Sequence, residues 1–220
     1  MTFRIIAPSA AAVLIALGAS AQAAPTASSS VFATGGPVGG TQPDSVTIGG
    51  GSVWVEYGDN ADSTGAGGSS TIVQYSATSG AVQHNYTISG LVDGLKFNPT
   101  TGMVWALQNN DANATLSIIN PTTHTVSAPL RYGPPYTYTT PGPLARGYDD
   151  VAFLGAKIYL SYTNPVNPTD PVLQSLNNGN NPTGTLTTTS ILTAQQTGVT
   201  SATNEPTSTA SRARPTANWC

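Results

Sequence analysis

The chain has 220 residues and a net charge of −3, and only 8% of its residues are charged. Seven Lys and Arg in the whole sequence exclude a nucleic-acid-binding surface, which rests on clustered basic side chains. The single Cys220 excludes an internal disulfide, so stability has to come from packing and strand pairing.

Residues 1–23 have the three parts of an export signal in order. Arg4 supplies the positive start, Ile5 to Leu17 is apolar apart from Pro8 and Ser9, and Ala21-Gln22-Ala23 places small residues where a signal peptidase needs them. Cleavage after Ala23 leaves Ala24 at the new N-terminus. A membrane anchor is the plainer alternative, but Pro8 interrupts the apolar run and its length falls short of the ~20 residues that a spanning helix requires. No Cys stands at the cleavage point to carry a lipid, so no membrane attachment is expected after cleavage. Removing the signal from the 220 residues leaves about 197, enough for one domain with a sizeable core.

Residues 24–42 read as a flexible linker, with Ser28-Ser29-Ser30 and the pairs Gly35-Gly36 and Gly39-Gly40. Val31-Phe32-Ala33 offers an edge strand to whatever follows.

An internal repeat begins at Pro43. Asp44 to Ile48, a glycine turn at 49–51 and Val53 to Tyr57 form one hairpin. Val92 to Phe97, the turn Asn98-Pro-Thr-Thr-Gly102 and Met103 to Leu107 form a second. Asp150 to Leu154, Gly155-Ala156 and Lys157 to Tyr162 form a third. Each runs from an Asp through a short apolar strand and a tight turn into an aromatic-centred strand. Further hairpins lie between them: Thr71 to Ser76 with Val82 to Ile88, Ala114 to Ile119 with Thr125 to Ser127 across Asn120-Pro-Thr-Thr-His124, and Val172 to Leu176 with Thr185 to Leu192. The unit is therefore four strands, with starts 49 and then 57 residues apart at Asp44, Asp93 and Asp150. Periods of that size with four short strands are the pattern of propeller blades.

On these residues the chain resembles the secreted bacterial β-propellers of the NHL or YVTN/quinoprotein-like kind, over about residues 43–200. The resemblance implies an all-β fold, an incomplete β-propeller of about three four-stranded blades at 43–90, 91–140 and 148–200. A β-sandwich also needs many alternating strands, and the internal repeat argues for the propeller. Three blades leave two sheet edges open, because a propeller protects its edges only by closing a ring.

From about Ser201 the alternation stops. Read in a displaced frame with high-GC codon choices, residues 206–220 give an acid, a strand, a Pro-Asp-Gly turn and a second strand. That is the start of a fourth blade, so the tail is expected to be frameshifted and the chain a fragment of a longer propeller; the nucleotide sequence decides it.

Asp44, Asp93 and the pair Asp149-Asp150 head the innermost strand of each unit. The resemblance to lactonase-like propellers implies that Asp44, Asp93 and Asp150 offer carboxylates to a central divalent ion, calcium by its preference for oxygen. Recurrence in every unit favours a plainer role, capping the loop into the strand. The loops between second and third strands, containing Asp59, Asp62, Asp111 and Asn164 to Asp170, are rich in oxygen ligands and belong on one rim. Asn and Asp also fill loops because they tolerate tight turns, the commoner reason. Trp54, Trp105 and Tyr159 occupy equivalent places and read as core between blades.

His84 and His124 belong to no triad or metal spacing and read as surface residues, His84 in an outermost strand and His124 in a hairpin turn. No Gly-x-Ser-x-Gly elbow, Cys-x-x-Cys pair or phosphate loop occurs. Two functions from different classes remain. One is an exported, non-catalytic scaffold presenting loops to a small molecule or protein, inactive if the ring is incomplete. The other is a lactonase-like or quinoprotein-like enzyme with a central divalent ion, whose remaining groups lie in further blades.

Overall fold

The computed structural model describes residues 27–62, 64–109, 113–133, 147–165 and 167–198. Ala23, Asp111 and the tail from residue 199 lie outside them, and so do the readings made of those positions. The chain divides into Met1–Val31 and Phe32–Cys220. The described residues of the first unit, 27–31, form no helix or strand.

The second unit is three antiparallel sheets. The first is β1 (Pro43–Gly49), β2 (Ser52–Tyr57), β3 (Ser69–Ser76) and β4 (Val82–Ser89), hydrogen-bonded in that order. The second contains β5 (Val92–Phe97), β6 (Val104–Gln108), β7 (Thr115–Asn120) and β8 (Thr125–Val126), with β9 (Leu130–Arg131) also pairing to β7. The third is β10 (Tyr148–Leu154), β11 (Lys157–Tyr162), β12 (Pro171–Leu176) and β13 (Thr188–Thr193). A four-residue helix α1 (Ala194–Thr197) follows, started by a capping box between Thr193 and Gln196. No helix among the described residues is long and apolar enough to cross a membrane.

Local chemistry explains these elements. The strands are runs of Val, Ile, Thr, Tyr and Trp, whose branched or flat side chains fit a pleated surface. The β1–β2 turn closes on the Gly49–Ser52 pair with Gly50 and Gly51 both at positive φ, the conformation a two-residue hairpin requires. One expectation is corrected: residues 31–33 add no strand. The strand expected at Thr125 to Ser127 is β8, and a further piece, β9, pairs with β7 beyond Pro129, which cannot donate to a ladder.

The sheets stack in sequence order through two apolar seams. Trp54, Ile72, Tyr86 and Ile88 of the first sheet pack on Val92, Leu95, Val104, Ala106 and Ile119 of the second. The opposite face of the second sheet, with Trp105, Leu107 and Leu116, packs on Val151, Ile158, Leu160 and Leu176 of the third. Trp105 meets Phe153 edge to face at 5.0 Å. Trp54 and Trp105 are thus core. Tyr159 lies between Ile158 and Leu160 and so on the third sheet's other face, half-buried.

The stretch read as a linker is fastened from residue 33 onward. Ala33 and Val38 pack on the outer face of the first sheet, against Tyr57, Val73 and Tyr75. Its glycines serve close approach: a Cβ on Gly35 or Gly40 would come within 2.6 Å or 2.7 Å of the Tyr57 ring. Tyr57 and Tyr75 share a hydroxyl hydrogen bond of 2.8 Å, and Tyr75 donates to the Thr34 carbonyl at 3.3 Å.

Candidate functional site: the mouth of the inner strands

The first strands of the three sheets, β1, β5 and β10, lie side by side with β5 in the middle. Each carries a bulge near its start: the register shifts between Pro43 and Val46, between Val92 and Gly94, and between Tyr148 and Asp150. The extra residue falls at Asp44-Ser45, Asp93 and Asp149. A bulge twists its strand and re-aims a side chain, so the aspartates recur because the same irregularity recurs.

Between these bulges lies a cleft of about 250 Å³, lined by Ser45, Val46, residues 93–96, Asp149 and Asp150. Ser45 Oγ donates to the Asp93 carbonyl at 2.9 Å, tying β1 to β5. Gly94 brings β5 against β10, and any Cβ there would collide with the Asp149 carbonyl oxygen. Lys96 Nζ lies 3.4 Å from Asp150 Oδ2 with both side chains more than a third exposed, a pairing that water weakens. Asp150 Oδ1 also accepts from the Val151 amide at 2.8 Å, the capping role that recurrence favoured.

Behind the cleft is a residue the sequence reading passed over. Glu56 on β2 is fully buried, with the Ser70 hydroxyl and the Ser45 amide beside its carboxyl. Burial, opposed by those two donors and aided by the charges of Asp44 and Asp93, raises its pKa to about 8. It therefore holds a proton at neutral pH. The signal was available: Glu56 stands two residues after Trp54, on the same face of a strand.

The rim loops contain acids engaged in building the loops. All three second strands end near a residue in the left-handed region, Asp59 (φ 49°), Asn109 (φ 57°) and Asn164 (φ 49°), which Asn and Asp adopt more readily than other side chains. Asp59 Oδ1 accepts from the Thr41 amide at 2.7 Å and its hydroxyl at 3.2 Å. Asp62 Oδ1 accepts from the amide and hydroxyl of Thr64 at 2.7 Å and 2.6 Å, which holds its pKa below the usual carboxylate value. Asp170 Oδ2 accepts from the Asn167 amide at 2.8 Å.

The structure therefore gathers Asp93, Asp149 and Asp150 at one cleft and leaves Asp59 and Asp62 in a separate loop. Among the described residues no three His, Cys, Asp or Glu side chains come together in a group able to hold a metal ion. Of Asp44, Asp93 and Asp150, each on a different inner strand, Asp150 faces Lys96 and accepts from the Val151 amide. His124 is exposed, as the surface reading has it, and His84 is half-buried; their rings stack on each other between the first and second sheets.

No protein-family model matches the chain, and no curated protein matches it significantly.

Proposed function

We propose that the protein is an exported β-propeller-type binding scaffold, its three sheets being successive blades and the inner-strand mouth its ligand site. The observation that carries this reading is the bulge repeated at the head of β1, β5 and β10, which delivers one acid-bearing segment per sheet to a shared cleft. Loops and irregularities held on a rigid sheet scaffold are where binding residues collect. The facing of the aromatic residues supports the blade order: Trp54 faces the second sheet, Trp105 the third, and Tyr159 the side beyond.

Three carboxylates against the single Lys96 make the cleft negative, and Val46, 62% exposed, gives it an apolar wall. Such a lining suits a small ligand bearing an amine or many hydroxyls, or a protein side chain of that kind. Export rests on the signal-like residues 1–23 and on the resemblance to secreted propellers of the NHL or YVTN kind.

Two measurements test the reading. Sequencing the N-terminus of protein recovered from outside the cytoplasm should begin at Ala24; an intact Met1 would remove the export claim. Calorimetric titration of the mature chain with a diamine and with a disaccharide should give heat with at least one, lost in the double variant Asp149→Asn/Asp150→Asn. Binding indifferent to that change, or none with either probe, would remove the mouth as the site.

A further inference from the structure

Glu56 stands on β2 two residues beyond Trp54 and on the same face, and it has no exposure to solvent. Three other strands supply its surroundings. From β1 come Asp44 and the Ser45 amide, from β3 the Ser70 hydroxyl, and from β5 Asp93. Directly across the ladder on β3 is the apolar Ile72. The charged groups that act on the carboxyl are thus Asp44 and Asp93, both of its own sign.

Ser45 joins this buried carboxyl to the mouth. Its amide lies beside Glu56, its hydroxyl donates to the Asp93 carbonyl at 2.9 Å, and it lines the cleft together with Asp93. Glu56 therefore sits one residue behind the cleft wall. Lys96, the cation of the mouth, is turned to Asp150 at 3.4 Å and leaves the other acids uncompensated.

A carboxyl shut away from water beside two like charges keeps its proton at neutral pH. A cation arriving at Asp93 changes that balance, because its charge favours the ionised form of Glu56 through the poorly polarisable wall. The effect is reciprocal, so the ionised Glu56 strengthens the hold on the cation to the same degree.

We propose that Glu56 makes cation binding at the mouth proton-coupled: an amine settling against Asp93 and Asp149 expels the Glu56 proton to solvent and leaves a carboxylate beneath itself. The inference rests on the mouth being the ligand site and narrows its ligand to a cation, since a neutral polyol leaves the proton in place. The sign follows from the free protein being protonated. At low pH, binding has to drive the proton off and affinity is weaker; as pH rises and Glu56 ionises unaided, that cost disappears and affinity climbs.

The test is calorimetric titration of the mature chain with 1,4-diaminobutane from pH 6 to pH 8.5, a range in which amines with pKa values of about 10 stay charged. At pH 7 the heat should differ between phosphate and HEPES, buffers of unlike ionisation enthalpy, as release of up to about one proton per bound ligand requires. Affinity should rise by about 10-fold across the pH range. Glu56→Gln keeps the shape and has no proton to lose, so its heat should be the same in both buffers and its affinity flat with pH. Diamine binding with buffer-independent heat in the wild type, or the same pH profile in Glu56→Gln, would overturn the coupling and leave the mouth standing as the site. Absence of diamine binding would overturn it too, and binding of a disaccharide alone would then still uphold the mouth.

Discussion

Gly94 of β5 lies so close to β10 that a Cβ at its position would meet the carbonyl oxygen of Asp149. Backbone cannot swing aside as a side chain does, so Gly94→Ala should push the second and third inner strands apart. Overpacking of this kind costs about 1–3 kcal/mol. Urea unfolding should show a lowered midpoint at unchanged slope, and the same variant should lose whatever binding the mouth supports. An unchanged midpoint would mean that the two strands part easily.

Glu56 makes stability depend on pH. Its folded pKa of about 8 lies above the unfolded carboxyl value of 4.5, so the fold keeps a proton that the unfolded chain has released. The linkage slope is then negative across that window: stability is full below about pH 4.5 and falls as pH rises towards 8, at roughly 1.4 kcal/mol per pH unit at most. Glu56→Gln, neutral at every pH, should flatten this part of the Tm-versus-pH curve and raise Tm at pH 8. Parallel curves for the two proteins would show that Glu56 is not buried in solution.

Asp59 ties residue 41 to the end of β2. Asp59→Ala removes both bonds and the amide's charged acceptor, loosening the segment that covers Tyr57 and Tyr75. Limited proteolysis should then cut within residues 33–42 several times faster while the sheets stay resistant. Equal cleavage rates would show that apolar contacts alone hold the segment.

Lys96→Gln breaks the ion pair with Asp150. Because both side chains are well exposed, the expected loss of stability is below about 1 kcal/mol, within the scatter of a thermal melt. The mouth becomes more negative, so a cationic probe should bind more tightly. A large fall in Tm would instead assign Lys96 a structural role.

Much of this architecture was legible because strand residues announce themselves locally. The hairpins read from Asp44, Val92 and Asp150 coincide with β1–β2, β5–β6 and β10–β11 to within about two residues at their ends. What was not legible depends on contacts distant in sequence. Gly35 and Gly40 look like linker residues until Tyr57 is seen lying against them. Asp93 and Asp149 meet only because two bulged strands abut, and a bulge leaves no mark in an alternating pattern. The stack of His84 on His124 spans 40 residues and two sheets, so neither residue's neighbours foretell it. Glu56 differs, since a charged group in register with Trp54 is a local clue.

The two seams share no residue: one holds Trp54 and Ile119, the other Trp105 and Leu160. Damage in one is therefore not felt in the other through direct packing, and substitutions at Trp54 and Trp105 should have additive costs. The molecule behaves energetically as a row of neighbours rather than as a single droplet, so it can come apart one layer at a time, from either end of the row.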